Sequence, residues 1–594
     1  MISFKNIFRN STAIFSFFTI YLCLYSQLLA SAQKDETTLN IVIGRCETTR
    51  HPFAKKNLSN SAASFFLHLH SLPLFTLNEK NQWACLLCRK FPQIQDRSLE
   101  KITGKNKSKF LKMHLELDPS YKWGDGENIT GKDLVFTWEI SKNITHNFIG
   151  KSFFRNIDQI ILDPKNARNL TIFFKSEKYF YADWGEIHLI PQHLEQEIWT
   201  KAKKDFKKYM QDSLYLNNPS HPGLYSGAYL YSEISKKYGF LSMKQNPYYF
   251  SKFHLFKRLK ILMPEQVSTK HMNNNQSLII SETLHENEHD LNKVKSWIYR
   301  NKDLIKQFNL REIWGDSIVF EHIALNHRNP ILKDKRIRKA LAYAVDKNFI
   351  IDGMYQDELL PAASFLHPTN PNFSPLVTMY DFNLEKSRKI LDSAEWILDE
   401  NTQIRYKSGI PLNLNITTNK ISHRKILVKN LIKNWQAIGF RVSVKFQGDP
   451  DFFQKTLTKI KFSGATLFSW KIPTDASLYS IFHSKSIPNI YNHYEGQNIS
   501  AWINGKIDQS ISKLETEFQQ EKRKRLYSQI QKIYSDELPS IPLFFRFKKA
   551  YASPLVHHYK IPSNQFPSSL LTKNFERIFD NISRKKERSK SEFF

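Results

Sequence analysis

Cysteine and histidine residues of the kind that bind metal ions or exchange electrons occur close together in the first hundred residues. Cys85 and Cys88 form the CxxC pair "CLLC", and His68 and His70 lie in "LHLH". A zinc site needs about four ligands, and no second CxxC pair follows. A redox-active pair would start a helix after a strand, whereas this one lies in a segment that predicts a hairpin or loop. If the compartment is oxidising, these cysteines and Cys46 favour a structural disulfide between two of the three, with a metal site and free thiols as alternatives.

Two sequence motifs of common enzymes are missing: the chain has no "GxxxxGK[ST]" and no "GxSxG". "HENEH", residues 285–289, has the "HExxH" spacing, but so short a match does not by itself establish a zinc site. Its 20 histidines are scattered, and the adjacent pair His557-His558 is typical of a surface. We therefore predict no catalytic residues, no metal site and no cofactor.

The first 32 residues have the layout of a secretory signal peptide. Lys5 and Arg9 give a charged start, an uncharged apolar run follows, and Ala30-Ser31-Ala32 offers small residues for cleavage. We expect cleavage after Ala32 and delivery of the mature chain to the periplasm. The apolar run is also nearly long enough to span a bilayer, so an uncleaved N-terminus that tethers the protein is the alternative.

The composition indicates a chain that can bury large cores. It has 594 residues, of which 41% are hydrophobic and 14% aromatic. The formal net charge of +30 would attract polyanions such as nucleic acid or anionic lipid. Charge alone, however, assigns no function.

The most basic helical stretch is "NHRNPILKDKRIRKALAYAVDKNFI", residues 326–350. After Asp334 its apolar residues recur at helical spacing and should form one buried face. They are Ile337, Leu341, Ala344, Val345 and Phe349. A helix with a full apolar face docks against a core, so we predict a structural role and no nucleic-acid binding.

Strand-like and helical runs alternate along most of the chain. "TLNIVIG" and "GATLFSW" are typical of buried strands, and Thr130 with Asp133 is typical of a helix start. "HRKILVKNLIKNWQAIGF" predicts a long helix that ends at Gly439, and the tail predicts a single helix over residues 506–538. This alternation predicts α/β lobes with largely parallel sheets.

Six segments in order resemble the dipeptide- and oligopeptide-binding group of extracytoplasmic solute-binding proteins, family 5, which serve peptide and nickel ABC importers. The resemblance runs from about residue 38 to about residue 560 and is thinner over residues 42–111. The segments are "LELDPSYKWGDGENITGKDLVFTWE", "LIPQHL", "YSGAYLY…LSMKQNPYYF", "ALNHRNPILKDKRIRKALAYAVDKNFI", "YDFNLEKSRKILDSAEW" and "RKRLYSQIQKIYSDELPSIPLFF".

The resemblance implies an α/β, two-lobed periplasmic-binding-protein fold of type II, with an extra small domain and a hinge. It also implies that Arg338 and Asp346 hold neighbouring backbone. The implied units are a signal peptide (1–32), lobe I (33–75, 220–325 and 540–594), a small inserted domain II (76–219) and lobe III (326–539).

The function implied by the resemblance is that of a receptor without catalytic activity. It would capture peptides or a peptide-like solute in the cleft between the lobes and deliver them to an inner-membrane ABC permease. We expect a monomer that binds no nucleic acid. One alternative is the same fold with a non-peptide ligand, such as a metal chelate or haem. The other is a basic interaction protein of the envelope surface.

In this family an aspartate that binds the peptide amine commonly follows a tryptophan by three residues. Here Trp470 is present in "SWKIPTDASLYSIF", but the third residue after it is Pro473. Asp475 has therefore either shifted into the amine-binding position, or the amine-binding acid is lost. The resemblance implies ligand contacts from both lobes, and the candidate residues are Glu47, Thr48, Trp184, Trp470, Thr474 and Asp475.

Overall fold

The computed structural model describes most of the chain between residues 38 and 561. The described residues are 38–44, 51–54, 61–78, 82–104, 109–146, 148, 150–178, 187–235, 240–249, 256–264, 277–281, 288–355, 359–554, 556 and 561. The predicted signal peptide, the pair His557-His558 and the C-terminal tail lie outside them.

The described residues contain twenty strands. They are β1 Thr38–Val42, β2 Phe75–Leu77, β3 Trp83–Cys85, β4 Leu99–Thr103, β5 Lys109–Glu116, β6 Ile157–Leu162, β7 Asn169–Phe174, β8 Tyr229–Ser235, β9 Phe240–Gln245, β10 Arg258–Leu262, β11 Ser277–Ser281, β12 Arg311–Leu325, β13 Leu360–Pro361, β14 Ile397–Asp399, β15 Ile404–Lys407, β16 Ile410–Pro411, β17 Asn413–Asn419, β18 Arg441–Gln447, β19 Ala465–Lys471 and β20 Ser540–Ala552.

Sixteen α-helices occur in the same residues. They are α1 Ser61–His70, α2 Gly131–Ser141, α3 Lys151–Asn156, α4 Gln192–Lys201, α5 Phe206–Asp212, α6 Leu214–Asn217, α7 Glu288–Arg300, α8 Lys302–Gln307, α9 Pro330–Lys333, α10 Lys335–Tyr343, α11 Lys347–Tyr355, α12 Leu384–Ser393, α13 Ser422–Ala437, α14 Tyr479–Phe482, α15 Gly505–Leu514 and α16 Gln520–Glu537. Two 3₁₀ turns (Pro222–Leu224 and Ser484–Ser486) and a π-helix (Asp451–Leu457) complete the set.

One large sheet runs through the molecule. Its order is β18-β17-β19-β12-β20-β11-β1-β10-β9-β8, and β13 pairs with β20. We call β1 and β8–β11, with their helices, the N-terminal wing. We call residues 326–539, which carry β17–β19, the C-terminal wing. The long antiparallel strands β12 and β20 join the two wings, and their pairing is irregular between Asp316 and Phe320. An irregular pair of strands between two units is a natural place for a hinge.

The sheets are mixed, and the prediction of largely parallel sheets was wrong. In each wing three strands are parallel: β10-β1-β11 and β18-β17-β19. Antiparallel pairing joins these sets through β12 and β20. The chain passes from the N-terminal wing to the C-terminal wing along β12 and returns along β20. These two neighbouring strands therefore run in opposite directions.

Residues 75–224, which we call the inserted unit, hold the antiparallel sheet β4-β5-β7-β6 and the hairpin β2-β3. One hydrophobic cluster includes Ile41 and Leu259 of the N-terminal wing together with Met113 and Ile172 of the inserted unit. The C-terminal wing has its own clusters on the two faces of its sheet. The packing thus groups the inserted unit with the N-terminal wing, while the residue boundaries of the three lobes stay a prediction.

Local signals in the sequence locate several elements well. Thr130 caps α2, and Asp133 accepts a hydrogen bond from the Thr130 backbone N–H, which completes a capping box. Gly439 adopts a φ of +97° after α13, as a helix-terminating glycine does.

The basic stretch forms a docked helix, as predicted. Ile337 and Leu341 are fully buried, and Arg338 donates to the carbonyl oxygens of Leu332 and Glu537 at 2.8 Å each. The buried role predicted for Phe349 was wrong: its side chain is 50% exposed because the helix ends at Tyr343 and α11 begins at Lys347.

Two further details concern the neighbouring elements. Asp346 accepts a hydrogen bond from the N–H of Phe349, so it does hold neighbouring backbone as predicted. The single helix predicted for the tail is two helices, α15 and α16, separated by residues 515–519.

Candidate ligand cleft

The parallel strands of the C-terminal wing end side by side. β17, β18 and β19 finish at Asn419, Gln447 and Lys471. Ligands of open α/β sheets bind outside the carboxyl ends of such strands. This edge and the segments that follow it are therefore the first place to look for a ligand site.

A buried carboxylate lies at this edge, in the middle of the long strand β12. Glu321 is 0% exposed, and its two oxygens accept from Arg424 Nε at 2.6 Å and from Arg546 Nη2 at 2.8 Å. Arg424 also donates to the side-chain oxygens of Asn419 and Ser469. The buried acid therefore fixes the N-terminus of α13 against the end of β17. We call these five residues the Glu321 cluster.

Electrostatics keep this acid ionised. Burial alone would raise the pKa of Glu321, but Arg424 and Arg546 more than offset it and lower that pKa to about 2. Burial lowers the pKa of the neighbouring His423 to about 4, so this imidazole is neutral at physiological pH. Two cations thus surround one anion, and Arg546, whose side chain is 37% exposed, carries the excess positive charge toward solvent.

A lysine of β20 lies near the same edge. Burial, with a smaller contribution from Lys471, lowers the pKa of Lys548 to about 7, although Asp316 acts in the opposite direction. Near neutral pH this amine is divided between its charged and neutral forms.

Trp470 belongs to an aromatic stack at the end of β19. Its ring lies 4.7 Å from that of His322 and 5.0 Å from that of Phe468, measured between centroids. Burial lowers the pKa of His322 to about 3, so the stack contains a neutral imidazole. Trp470 itself is half-buried, which leaves part of the indole available at the strand end.

Asp475 lies in the loop after β19 and is 7% exposed. Its Oδ1 accepts from Asn372 Nδ2 at 2.8 Å and lies 3.7 Å from Arg523 Nη2. Its Oδ2 accepts from Trp83 Nε1 at 3.2 Å. Both oxygens are therefore engaged by protein donors, and one of these donors comes from the inserted unit.

The arginine beside Asp475 is itself held in place. Arg523 is 2% exposed and donates to the carbonyl oxygens of Leu514 and Glu517, at 2.9 Å each. It thereby ties the end of α15 to α16. Thr474, next to Asp475 in the chain, is 4% exposed.

The hairpin of the inserted unit carries Trp83 and a disulfide. β3 pairs with β2, and the Trp83 ring stacks on Phe91 with centroids 6.2 Å apart. Cys85 and Cys88 are bonded to each other, so the predicted disulfide between two of the three mature cysteines is confirmed. Cys46 lies outside the described residues.

Two more contacts join the inserted unit to the C-terminal wing. Lys101 Nζ donates to the carbonyl oxygen of Thr516 at 2.6 Å and lies 4.9 Å from the centre of the Phe518 ring. Lys178 Nζ lies 5.8 Å from the centre of the Tyr479 ring. Together with the hydrogen bond from Trp83 to Asp475, these contacts form what we call the seam.

Comparison with known families agrees with this architecture. The profile of the bacterial extracellular solute-binding proteins, family 5 Middle, matches residues 106–489. The chain belongs to this family. Its fold is accordingly the two-lobed α/β fold that the resemblance implied.

Relatives of this family are distant in sequence but cover most of the chain. The oligopeptide-binding protein OppA of Lactococcus lactis subsp. cremoris (strain SK11) is 24% identical over 458 residues, which are 70% of this chain and 73% of the relative. The oligopeptide-binding protein from Thermus thermophilus, complexed with a pentapeptide, superposes with a TM-score of 0.60 at 20% identity, over 89% of this chain and 93% of that one. NikZ from Campylobacter jejuni in complex with Ni(L-His) superposes with a TM-score of 0.61 at 20% identity, over 91% and 99%.

Three of the six candidate contacts of this family 5 protein fall in the described residues. Trp470 lies at the end of β19, and Thr474 and Asp475 lie in the loop that follows it. Glu47, Thr48 and Trp184 lie outside the described residues. In the sequence, Glu47 and Thr48 come shortly after β1, which ends at Val42. β1 is the middle strand of the parallel set in the N-terminal wing, as β17 is in the C-terminal wing.

The sequence did not point to the Glu321 cluster or to the partners of Asp475. The one available signal is a charged residue inside the apolar run "IVFEHIAL", since an acid in a buried strand requires a cation. The partners could not be named, because Arg424 and Arg546 stand 103 and 225 positions from Glu321. Trp83 stands 392 positions from Asp475.

Metal-binding groups and membrane-spanning helices are both missing from the described residues. No group of three or more histidine, cysteine, aspartate or glutamate side chains in them could hold a metal ion. Within the same residues, no helix is both long and apolar enough to cross a membrane.

Proposed function

We propose that this protein is a periplasmic receptor that binds peptides or a peptide-like solute between its wings and delivers them to an ABC permease of the inner membrane. It acts as a monomer and carries out no catalysis. The signal peptide predicted for residues 1–32 supports export, with an uncleaved anchor as the alternative.

The observation that carries this proposal is the family match over residues 106–489, on a fold with one set of three parallel strands in each wing. The relatives OppA of Lactococcus lactis and the protein of Thermus thermophilus are oligopeptide-binding proteins, which supports peptides as the ligand class. Glu47, Thr48, Trp184, Trp470 and Thr474 are our candidate contacts to the ligand.

For Asp475 we propose an indirect role. A peptide amine would have to reach a carboxylate that is only 7% exposed. The protein already supplies this acid with two hydrogen-bond donors, Asn372 and Trp83, and a neighbouring cation, Arg523. We therefore propose that this receptor captures its ligand without a requirement for a free α-amine.

The first experiment identifies the natural ligand. The mature protein is purified without denaturation from its own envelope or from a heterologous periplasm, then unfolded, and the released small molecules are identified by mass spectrometry. We expect a set of short peptides of mixed sequence. A second sample, unfolded and refolded before the release step, is the control for molecules that adhere to the surface.

A matched pair of ligands then tests the role of Asp475. One released peptide is synthesised with a free and with an acetylated N-terminus, and both are titrated by calorimetry. We expect the two dissociation constants to agree within about tenfold, which corresponds to about 1.4 kcal/mol. A much larger loss on acetylation would show that an acidic group, with Asp475 as the first candidate, binds the amine.

A non-peptide ligand is the second candidate function. The observation that favours it is Pro473 in place of the acid that follows the tryptophan in peptide binders that resemble this chain. NikZ, in complex with Ni(L-His), shows the same fold with a metal chelate. Release of one non-peptide species in the mass spectrometry experiment would establish this candidate and overturn the peptide proposal.

A further inference from the structure

We propose that Trp83 is a positioning residue that holds the inserted unit against the C-terminal wing when the receptor is closed, by donating its indole N–H to Asp475. We further propose that the Cys85–Cys88 disulfide keeps the hairpin that carries Trp83 in the shape this contact needs. The inference rests on the proposed function, since closure around a ligand is what the contact would serve.

The acceptor side of this contact is fixed within the C-terminal wing. Asp475 adopts a φ of +57°, a left-handed conformation that few residues other than glycine, asparagine and aspartate adopt. Asn372 and Arg523 orient its Oδ1, which leaves Oδ2 directed at Trp83. Tyr527 adds support by donating to the carbonyl oxygen of the next residue, Ala476, at 2.9 Å. An acceptor oriented in this way loses little further freedom when its donor arrives.

The donor side is fixed within the inserted unit. The Trp83 ring stacks on Phe91, whose ring in turn meets that of Phe75 edge-on at 5.2 Å. After Trp83 the chain turns back at once, because the backbone N–H groups of Leu86 and Leu87 both donate to the carbonyl oxygen of Leu74. The disulfide closes this turn. The indole is thus presented by a short segment that has few alternative conformations.

The hydrogen bond spans two units whose main hydrophobic cores are different. The inserted unit shares its core with the N-terminal wing, whereas Asp475 is in the C-terminal wing. An indole N–H donating to a carboxylate is a charge-assisted hydrogen bond, which is stronger than one between neutral groups. Of the seam contacts, this one has the most buried acceptor, because Asp475 is 7% exposed.

The rest of the seam supports closure from a second position. Residues 515–519 connect α15 to α16 in the C-terminal wing, and Phe518 in this connection packs against the core of the inserted unit. Lys101 donates to Thr516 in the same connection. Arg523 donates to Leu514 just before this connection and to Glu517 within it, and it also contacts Asp475. The two positions of the seam are therefore joined through one buried guanidinium.

The experiment measures closure directly. Fluorescent dyes are attached through introduced azide-bearing residues at positions 165 and 461, which are both exposed and lie in the inserted unit and the C-terminal wing. Single-molecule energy transfer then gives the ratio of closed to open molecules, without reductant, with and without an equimolar random pentapeptide library. The variants are Trp83→Phe, which keeps the ring and removes the N–H, and the double variant Cys85→Ser/Cys88→Ser.

The matched control is Trp138→Phe. Trp138 is a half-buried tryptophan of α2 in the same unit, and Lys142 covers its ring. Thermal unfolding of every variant, followed by circular dichroism, shows whether a change in closure comes from a loss of folding.

We expect Trp83→Phe to lower the closed-to-open ratio by about tenfold, as the loss of a hydrogen bond to a charged group predicts. Trp138→Phe should leave the ratio unchanged, and the double cysteine variant should lower it by about threefold, because it loosens the donor without removing it. A ratio that Trp83→Phe does not change, or a wild-type protein with no closed population in either condition, would overturn the inference. If the library fails to shift the wild-type ratio while Trp83→Phe still lowers it, the peptide proposal fails and the role of Trp83 stands.

Discussion

Glu321 and Asp475 are both buried carboxylates held by buried arginines, but they differ in what they join. Glu321 binds Arg424 and Arg546, and all three belong to the hinge strands and the adjoining α13. Asp475 binds Arg523 within the C-terminal wing and Trp83 from the inserted unit. One acid therefore holds the hinge strands to the adjoining helix, and the other meets a unit with a different main core.

This difference indicates two roles that a buried charge can have in a receptor with two wings. A buried charge whose partners lie on the hinge strands and the helix beside them contributes mainly to stability. A buried charge that takes one partner from another unit contributes to the balance between states. The predictions below separate these two roles.

The largest effect is expected for Arg424→Met. This change leaves Glu321 buried with only the partly exposed Arg546, and removal of one partner of a buried ion pair costs about 3–5 kcal/mol. Urea denaturation followed by circular dichroism at pH 7 measures the free energy of unfolding. The control is Lys389→Met, which breaks an exposed pair with Glu385 and should leave the free energy of unfolding nearly unchanged. Equal losses in the two variants would refute a structural role for the Glu321 cluster.

A smaller loss of stability is expected for Arg523→Met. Asp475 would keep Asn372 and Trp83 as donors, so the cost should be about 2–3 kcal/mol. Unlike Arg424→Met, this change should also speed hydrogen exchange in residues 515–519 and in the hairpin around Trp83, since both parts of the seam depend on Arg523. Hydrogen exchange measured by mass spectrometry checks this. Equal exchange patterns in the two variants would show that Glu321 and Asp475 do not differ in their effect on the seam.

Acid should weaken the Glu321 cluster in a defined range of pH. The pKa of Glu321 is lowered from 4.5 to about 2 in the folded protein. The cluster therefore contributes its full stability above about pH 4.5 and loses it as the pH falls toward 2, with a total on the order of 3 kcal/mol. Unfolding free energies measured between pH 5 and pH 2 should fall more steeply for the wild type than for Glu321→Gln. Parallel curves would show that this acid titrates normally.

The smallest effect is expected for Arg546→Met. Its side chain is 37% exposed, so solvent screens its attraction to Glu321, and the cost should be about 1 kcal/mol. Urea denaturation beside Arg424→Met makes the comparison. A cost as large as that of Arg424→Met would mean that the outer arginine holds the acid as firmly as the inner one.

Local signals in the sequence predicted most elements of the fold. Caps and periodicity depend on neighbouring residues, as at Thr130 and Gly439, and these positions came out as expected. The error at Phe349 was also local, because Asp346 caps a new helix and thereby turns Phe349 out of the buried face. Asp346 in "AVDKNF" is a typical helix-capping residue and could have predicted the new helix. The prediction followed the spacing of the apolar residues instead.

The candidate site was less predictable, because it is assembled from distant parts of the chain. The sequence singled out Asp475 but gave no indication that Trp83, Asn372 and Arg523 surround it. The antiparallel pairing of β12 with β20 was not predicted for the same reason. No local sequence pattern distinguishes a strand that crosses between the wings from one that stays within a wing.

The position of β20 in the sheet has a consequence for synthesis. β20, residues 540–552, is the last strand in the described part of the chain, yet it lies between β11 and β12 near the middle of the large sheet. A ribosome must therefore complete nearly the whole chain before the two wings can be joined edge to edge. The nascent protein stays without its final architecture until residue 552 has been made, a state that suits a chain threaded through a membrane before it folds.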